Sequence, residues 1–314
     1  MSRPTSLIVL LLLAGGSGGA FCAPTDAGEP EATLVTRVTN AYPALSPDGK
    51  RIAYMSNAGG EFDIYVVAMA EGARHRLTDA PGRDGTPAWS PDGAQIAFQS
   101  FREGHSQIYV MAADGSSQRN VSRSASHDEH PFWSADGRTI LFVSDRDTPE
   151  GQERSFDIYE MAPDGSGVRR ITSTPEIETY ASLSPDGSRI ACRRVMADGN
   201  WEVVLLDRDG RALRNLSNHP AVDGWPFWSP DGAWVVFVSD RAGSEDLWVA
   251  RSDGTDLRRL TRDQGHEERQ PWWSADGRSI VFSRYEWFRG EPFYEASEIV
   301  LLTVPADLWP ERGR

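Results

Sequence analysis

Pro226-Phe227-Trp228-Ser229-Pro230-Asp231-Gly232 is the stretch on which the fold turns. Its last four residues recur as Ser-Pro-Asp-Gly at Ser46, Ser90 and Ser184, and as Ser-Ala-Asp-Gly at Ser134 and Ser274. The six copies begin 44, 44, 50, 45 and 45 residues apart. Each reads as a turn with a mechanism: proline presets φ at the second position, aspartate bonds to nearby backbone, and glycine takes the left-handed conformation that closes it. An apolar run leads into each copy, as in Pro87-Ala88-Trp89, and another leaves it, as in Ala233 to Val238. A third run follows, such as Asp246-Leu247-Trp248-Val249-Ala250, and then a second turn at Glu71-Gly72, Asp114-Gly115, Asp164-Gly165, Asp209-Gly210 or Asp253-Gly254. The unit closes on a short segment such as Arg76-Leu77-Thr78 or Arg259-Leu260-Thr261. Four short strands in a unit of about 45 residues make a propeller blade. The sequence therefore predicts an all-β, six-bladed β-propeller of four-stranded blades. The sixth unit lacks a fourth strand, because Ile299 to Val304 runs directly into Pro305. Thr36-Arg37-Val38-Thr39 matches the missing piece, so an N-terminal strand within residues 33–39 is expected to complete blade six and close the ring. Closure of this kind removes the open sheet edge.

Outside the repeats the chain divides simply. Met1-Ser2-Arg3, the apolar run Leu7 to Ala14 and the small residues up to Ala20 have the form of a signal peptide. The apolar run falls short of the ~20 residues a membrane span needs. Residues 1–22 are thus expected to be a signal peptide, 23–32 a short linker, 33–305 the propeller and 306–314 a tail. The expected location is the periplasm or the exterior. Lipid anchoring at Cys22 is the less favoured alternative, because the bulky Phe21 precedes it. Beyond residue 22 stand 46 acidic against 31 basic residues. Such an excess of negative charge speaks against nucleic acid and anionic membranes as partners. Cys192, in a strand pattern, is then the one remaining cysteine, which leaves no internal disulfide and no thiolate zinc site.

Strand polarity puts both turn classes on one face of the ring. The opposite face carries the starts of the first strands and the variable second-to-third connections, and variable loops on a rigid scaffold are where binding resides. Two rings of residues are expected there. Six positions before each turn serine stand Asn40, Asp84, Asp128, Glu178, Asp223 and Glu268, and four positions before it Tyr42, Thr86, His130, Tyr180, Trp225 and Gln270. Side chains two apart share a side of a strand, so both sets are expected at the mouth of the central channel. Asp84, Asp128, His130, Glu178, Tyr180, Asp223, Trp225 and Glu268 are the candidate mouth-binding residues. Arg102, Arg146, Arg241, Trp287 and Phe288 are the candidates on the loops of the same face. The acids have two readings. One is a cation site or a dock for a basic group, with calcium or another divalent ion as the candidate cofactor. The other, favoured, is pairing between blades with Arg102, Arg146 and Arg241. Three arginines against five acids would leave negative charge at the mouth.

Catalytic motifs are sparse. Gly15-Gly16-Ser17-Gly18-Gly19 fits G-x-S-x-G, but it lies in the expected signal and lacks the strand-to-helix turn that motif needs. His127-Asp128-Glu129-His130 and Gly265-His266-Glu267-Glu268 look metal-like in composition, although solvated loop is the favoured reading. Trp89, Trp133, Trp228 and Trp273, each just before a turn serine, read as packing between blades.

The runs Pro43 to Gly49, Pro87 to Gly93, Pro131 to Gly137, Pro226 to Gly232 and Pro271 to Gly277, with Asp63-Ile64-Tyr65 and Asp157-Ile158-Tyr159, resemble the WD-like repeats of the TolB-like family of periplasmic propellers. Blade four departs from the pattern, with Ala181 in place of proline and Arg193-Arg194 in place of the serine run. The resemblance covers residues 33 to 304 and does not extend to the α/β domain that precedes the propeller in TolB itself. It implies a non-catalytic envelope protein, expected as a monomer, that binds a protein or peptide partner at the channel mouth as an envelope or transport-related scaffold. The alternative is an extracytoplasmic carbohydrate-active lyase or hydrolase that uses mouth carboxylates, His130 and a divalent cation.

Overall fold

A computed structural model describes residues 7–10, 38–263, 265–286, 296–305 and 307–308. Six four-stranded antiparallel sheets account for its strands. The innermost strands are Asn40–Leu45, Asp84–Trp89, Asp128–Trp133, Ile177–Leu183, Asp223–Trp228 and His266–Trp273. The second strands are Arg51–Ser56, Gln95–Ser100, Ile140–Ser144, Arg189–Val195, Trp234–Ser239 and Ser279–Glu286. The third are Asp63–Ala68, Gln107–Ala112, Asp157–Met161, Trp201–Asp207, Asp246–Arg251 and Ala296–Thr303. Short outer strands, such as Arg74–Arg76 and Ala212–Asn215, finish blades one to five. This is the six-bladed propeller that the repeat predicts.

The repeated turn is built as its residue types dictate. In blade one the Ser46 hydroxyl donates to Asp48 Oδ1 at 2.5 Å, and the same carboxylate oxygen accepts from the Lys50 amide at 3.1 Å. The Gly49 amide donates to the Ser46 carbonyl at 2.8 Å, with Gly49 at φ 67°. The serine–aspartate bond repeats at Ser90, Ser134, Ser184, Ser229 and Ser274.

The core lies between blades as well as within them. Residues of adjacent blades share each large apolar cluster: Ile64, Trp89 and Phe98 join blades one and two, and Trp234, Phe282 and Val300 join five and six. Leu45, Ile52, Tyr54, Val281 and Ile299 join blade six back to blade one. The four tryptophans before the turn serines are all buried. Trp89 Nε1 donates to the Ala44 carbonyl of the preceding blade at 3.0 Å, and Trp228 Nε1 to that of Ser182 at 3.3 Å. Cys192 is fully buried in the blade-four core, as expected of a small apolar residue.

The last blade differs in one particular from the sequence reading. Its outer strand is N-terminal, but it is Leu7–Leu10, antiparallel to the third strand with Leu7 opposite Leu302 and Leu10 opposite Ile299. Of the expected residues 33–39, the first five lie outside the described residues. Val38 is described, and its carbonyl accepts from the Ser297 amide at 3.3 Å. The apolar run read as a signal occupies this edge as a strand.

Candidate functional site

The acid ring exists, but it faces into the blades. Four of the acids, at or near the starts of their inner strands, sit at the junction with the preceding blade. The amides of Asp84, Asp128, Glu178 and Glu268 donate to the carbonyls of Phe62, Ser106, Phe156 and Glu245, each 2.8–2.9 Å away. The carboxylates of all five acids are fully buried or nearly so, and each meets an arginine: Asp84–Arg102 at 2.9 Å, Asp128–Arg146 at 2.8 Å, Glu178–Arg194 at 2.9 Å, Asp223–Arg241 at 3.0 Å and Glu268–Arg284 at 3.0 Å. Two features of the sequence reading are corrected here. The pairs lie within one blade and not between blades, because acid and arginine close the same hairpin from its two strands. Five arginines also meet the five acids, since Arg194 and Arg284 fill the places left unassigned, so each acid has an arginine partner. Arg102, Arg146 and Arg241 are therefore struts. Each is anchored further on a serine hydroxyl, as Arg102 Nε is on Ser100 Oγ at 2.7 Å, and each lies over blade aromatics. Burial raises the pKa of Asp84, Glu178, Asp223 and Glu268, even against the arginines that pull the other way.

The second ring turns into the channel, for a reason the alternation rule misses. Tyr42, Thr86, His130, Tyr180, Trp225 and Gln270 all have φ between 48° and 54°. At each of them the register of the inner strand shifts, between Ala41 and Ala44 in blade one and between Thr179 and Ser182 in blade four. Six bulges thus break the period of two, so the acid and the residue two positions on do not share a face. The Tyr42 and Tyr180 hydroxyls, from opposite blades, meet at 3.2 Å across the channel. The His130 ring stands 3.9 Å from that of Tyr180, and Tyr180 stands 5.4 Å from Trp225. Two residues further along, Phe132, Phe227 and Trp272 pack together with centroids 4.4–6.0 Å apart. Aromatic layers fill the middle of the ring, with an apolar cavity of about 90 Å³ among them.

Above this plug, at the mouth, lies a polar chamber of about 270 Å³. Tyr42, Tyr180, His130, Arg83, Arg193 and Glu129 line it, with Gln99, Phe101 and Thr179. Burial, aided by Arg193 and Arg83, pushes the His130 pKa down to about 3, so its imidazole is neutral at any physiological pH. Its Nδ1 is buried without a hydrogen-bond partner among the described residues. Arg193, 9% exposed, stacks 3.8 Å from the Trp201 ring, 4.5 Å from Tyr180 and 5.3 Å from Trp225. Its Nε donates to Thr179 Oγ1 at 2.9 Å. No carboxylate among the described residues comes within ion-pair distance of its guanidinium, whereas Arg269 nearby is held by Glu245 and Glu267. The sequence did mark Arg193, as a departure from the repeat, but gave it no role. Of the candidate binding residues, the structure gathers His130, Tyr180 and Trp225 around Arg193. It turns the five acids and three arginines into blade struts. Trp287 and Phe288 lie outside the described residues. Neither metal-like sequence is assembled: His127 Nδ1 sits 2.9 Å from Ser106 Oγ, and His266 sits against Asp263 at 3.0 Å. Among the described residues no three His, Cys, Asp or Glu side chains converge as a metal would require.

The model of the TolB beta propeller domain matches residues 25–198 and 182–289. The Tol-Pal system protein TolB of Methylococcus capsulatus is 41% identical over 63 residues, which cover 20% of this chain and 15% of that protein. The chain thus aligns with only about a seventh of this curated relative's length. TolB from Acinetobacter baumannii has a similar structure, with a TM-score of 0.65 and 28% identity, over 77% of this chain and 58% of that one. An oligogalacturonate lyase in complex with manganese shares the fold at 15% identity and a TM-score of 0.59, over 87% of this chain and 92% of that one. Repeat, blade construction and family match agree, and the chain belongs to the TolB beta-propeller domain family.

Proposed function

We propose that this chain is an exported, non-catalytic envelope propeller that binds a protein or peptide at the mouth of its central channel. The observation that carries this reading is the mouth chamber. It is polar, it rests on an aromatic plug, and it contains a stacked guanidinium that forms no ion pair with a described carboxylate. The acids that would serve a hydrolase or lyase are tied to arginines inside the blades. A rigid ring with a dead-end, cation-bearing recess suits recognition better than turnover. The curated relatives are named as proteins of the Tol-Pal system, which supports a protein partner in the envelope. The form of residues 1–22 supports export.

The test is site-specific photo-crosslinking in cells. A benzoylphenylalanine at Phe101, which lines the chamber, is expected to give a discrete protein adduct. The same group at Arg138, exposed on the turn face, is expected to give none. Equal adducts from both positions, or none from Phe101, would overturn the proposal.

A further inference from the structure

The geometry points to a more specific role for the chamber: it receives a free chain-terminal carboxylate of a peptide, with Arg193 as the residue that reads its charge. This rests on the proposed docking of a protein or peptide at the mouth.

Three features of the site carry the inference. The first is charge. The chain is acidic, with 46 acidic against 32 basic residues. Yet the chamber has two guanidiniums, Arg83 and Arg193, and one carboxylate, Glu129. Glu129 already accepts from Ser106 Oγ at 3.0 Å. Arg83 is exposed at the rim over the Phe62 ring, and its guanidinium forms no ion pair with a described carboxylate. Glu245 also acts on Arg193 through its charge, but it is itself paired with Arg269, and a buried guanidinium without a direct counter-ion is costly and calls for an anion. Arginine's planar fork matches a carboxylate in two parallel bonds.

The second is construction. Gly224, opposite Arg193 in the next blade, is what admits the side chain: a Cβ there would stand 2.8 Å from Arg193 Cδ. Thr179 and three aromatic rings fix the guanidinium, with its terminal nitrogens left for a ligand. The Tyr42–Tyr180 pair supplies a further donor, because whichever hydroxyl accepts at 3.2 Å keeps its own proton free. The His130 imidazole beside them is uncharged.

The third is shape. The Tyr42–Tyr180 contact and the Phe132, Phe227 and Trp272 layer stop the channel beneath the chamber. A blind recess of about 270 Å³ admits an end of a chain, of roughly one residue, and not a passing segment. An anion-seeking recess selects the carboxyl end over the amino end.

The experiment uses the purified protein and a panel of N-acetylated tetrapeptides, each as the free acid and as the amide. Tryptophan fluorescence, with Trp201 and Trp225 against Arg193, reports binding. Free acids are expected to bind about 10–100-fold more tightly than their amides, the difference one charge-assisted pair supplies. Arg193→Gln is expected to abolish that difference. Because Arg193 is buried, two further variants are measured: the exposed Arg83→Gln, expected to lower acid affinity about threefold by removing a rim charge, and Gly224→Ala, expected to dislodge Arg193 with no change of charge. Acids and amides that bind alike, or an acid preference that survives both Arg193→Gln and Gly224→Ala, overturn the carboxylate reading. Absence of any peptide binding, with trigalacturonate bound in an Arg193-dependent way, overturns it in favour of a sugar acid. Absence of binding by either class also overturns it. In every one of these cases a Phe101 protein adduct would leave the docking reading standing, so the two failures are distinguishable.

Discussion

The five acid–arginine struts follow two rules. Where the acid is Asp, in blades two, three and five, its arginine lies two residues beyond the end of the second strand, at Arg102, Arg146 and Arg241. Where it is Glu, in blades four and six, the arginine lies on the second strand at the place of the serine, Arg194 or Arg284. The longer acid and the nearer base exchange reach. Removing one partner strands the other in a buried site, a change that costs about 3–5 kcal/mol. Asp223→Ala, which orphans Arg241 at 8% side-chain exposure, is expected to cost that much in urea unfolding. The double change Asp223→Ala with Arg241→Met is expected to recover a good part of it. A single variant as stable as the parent would show that the strut is dispensable.

The same residues set a pH dependence. The raised pKa values of Asp84, Glu178, Asp223 and Glu268 mean that the folded chain holds protons there that the unfolded chain has released. Stability therefore falls as pH rises from the usual carboxylate range through the raised folded values. The turn aspartates act oppositely. Hydroxyl bonds from Ser46, Ser90 and Ser184 lower Asp48, Asp92 and Asp186, the last to about 2, so their contribution is present above the usual range and lost as pH falls below it. Thermal melts across pH are expected to peak just above the ordinary carboxylate range and to decline on both sides. A monotonic rise to neutral pH would contradict this balance.

At the scale of elements, the edge of blade six is the decisive place. Leu7–Leu10 covers it. If those residues are removed on export, the segment whose sequence matches the other blades' fourth-strand endings, Thr36 to Thr39, is next in line for the vacated edge. Export processing would then exchange one edge strand for another. A chain begun at residue 23 is expected to fold, and deletion of residues 33–39 from it is expected to lower the melting temperature by roughly 5–10 °C, the effect of a few kcal/mol in a domain of this size. The same deletion in the uncut chain is expected to cost less. If the deletion has no effect in the cut chain, residues 33–39 are not its edge strand.

For the whole molecule, closure does not depend on that strand alone. Blades six and one share an apolar cluster, and Asn40 replaces the acid at this seam. Asn40 N donates to Ser297 Oγ at 2.8 Å, its Nδ2 donates to the Ser297 carbonyl at 3.1 Å, and the Ser297 hydroxyl donates to the Asn40 carbonyl at 2.6 Å. A polar clasp without a charge joins the two ends where the other junctions use an acid. Ser297→Ala removes two of these bonds, and at ~1 kcal/mol each the loss is about 2 kcal/mol. Hydrogen exchange is expected to quicken first in the inner strand of blade one and the third strand of blade six. Uniform acceleration around the ring would mean that the seam is no weaker than the other junctions.

The number of blades, the turns, the buried tryptophans and the division into two faces were all determined locally, because turn chemistry and strand patterning repeat with the residues themselves. So was the presence of an acid at five of the six strand starts. Where those acids point was not. Alternation along a strand puts Asp84 and Thr86 on one side, and only the bulge at the left-handed Thr86, an outcome of packing six strands around a narrow axis, separates them. Which charges cancel and which remain is likewise a tertiary matter. Arg193 and Arg194 are neighbours in the chain, yet one lies against Glu178 and the other among aromatic rings of two blades, since successive side chains leave a strand on opposite faces and meet different surroundings.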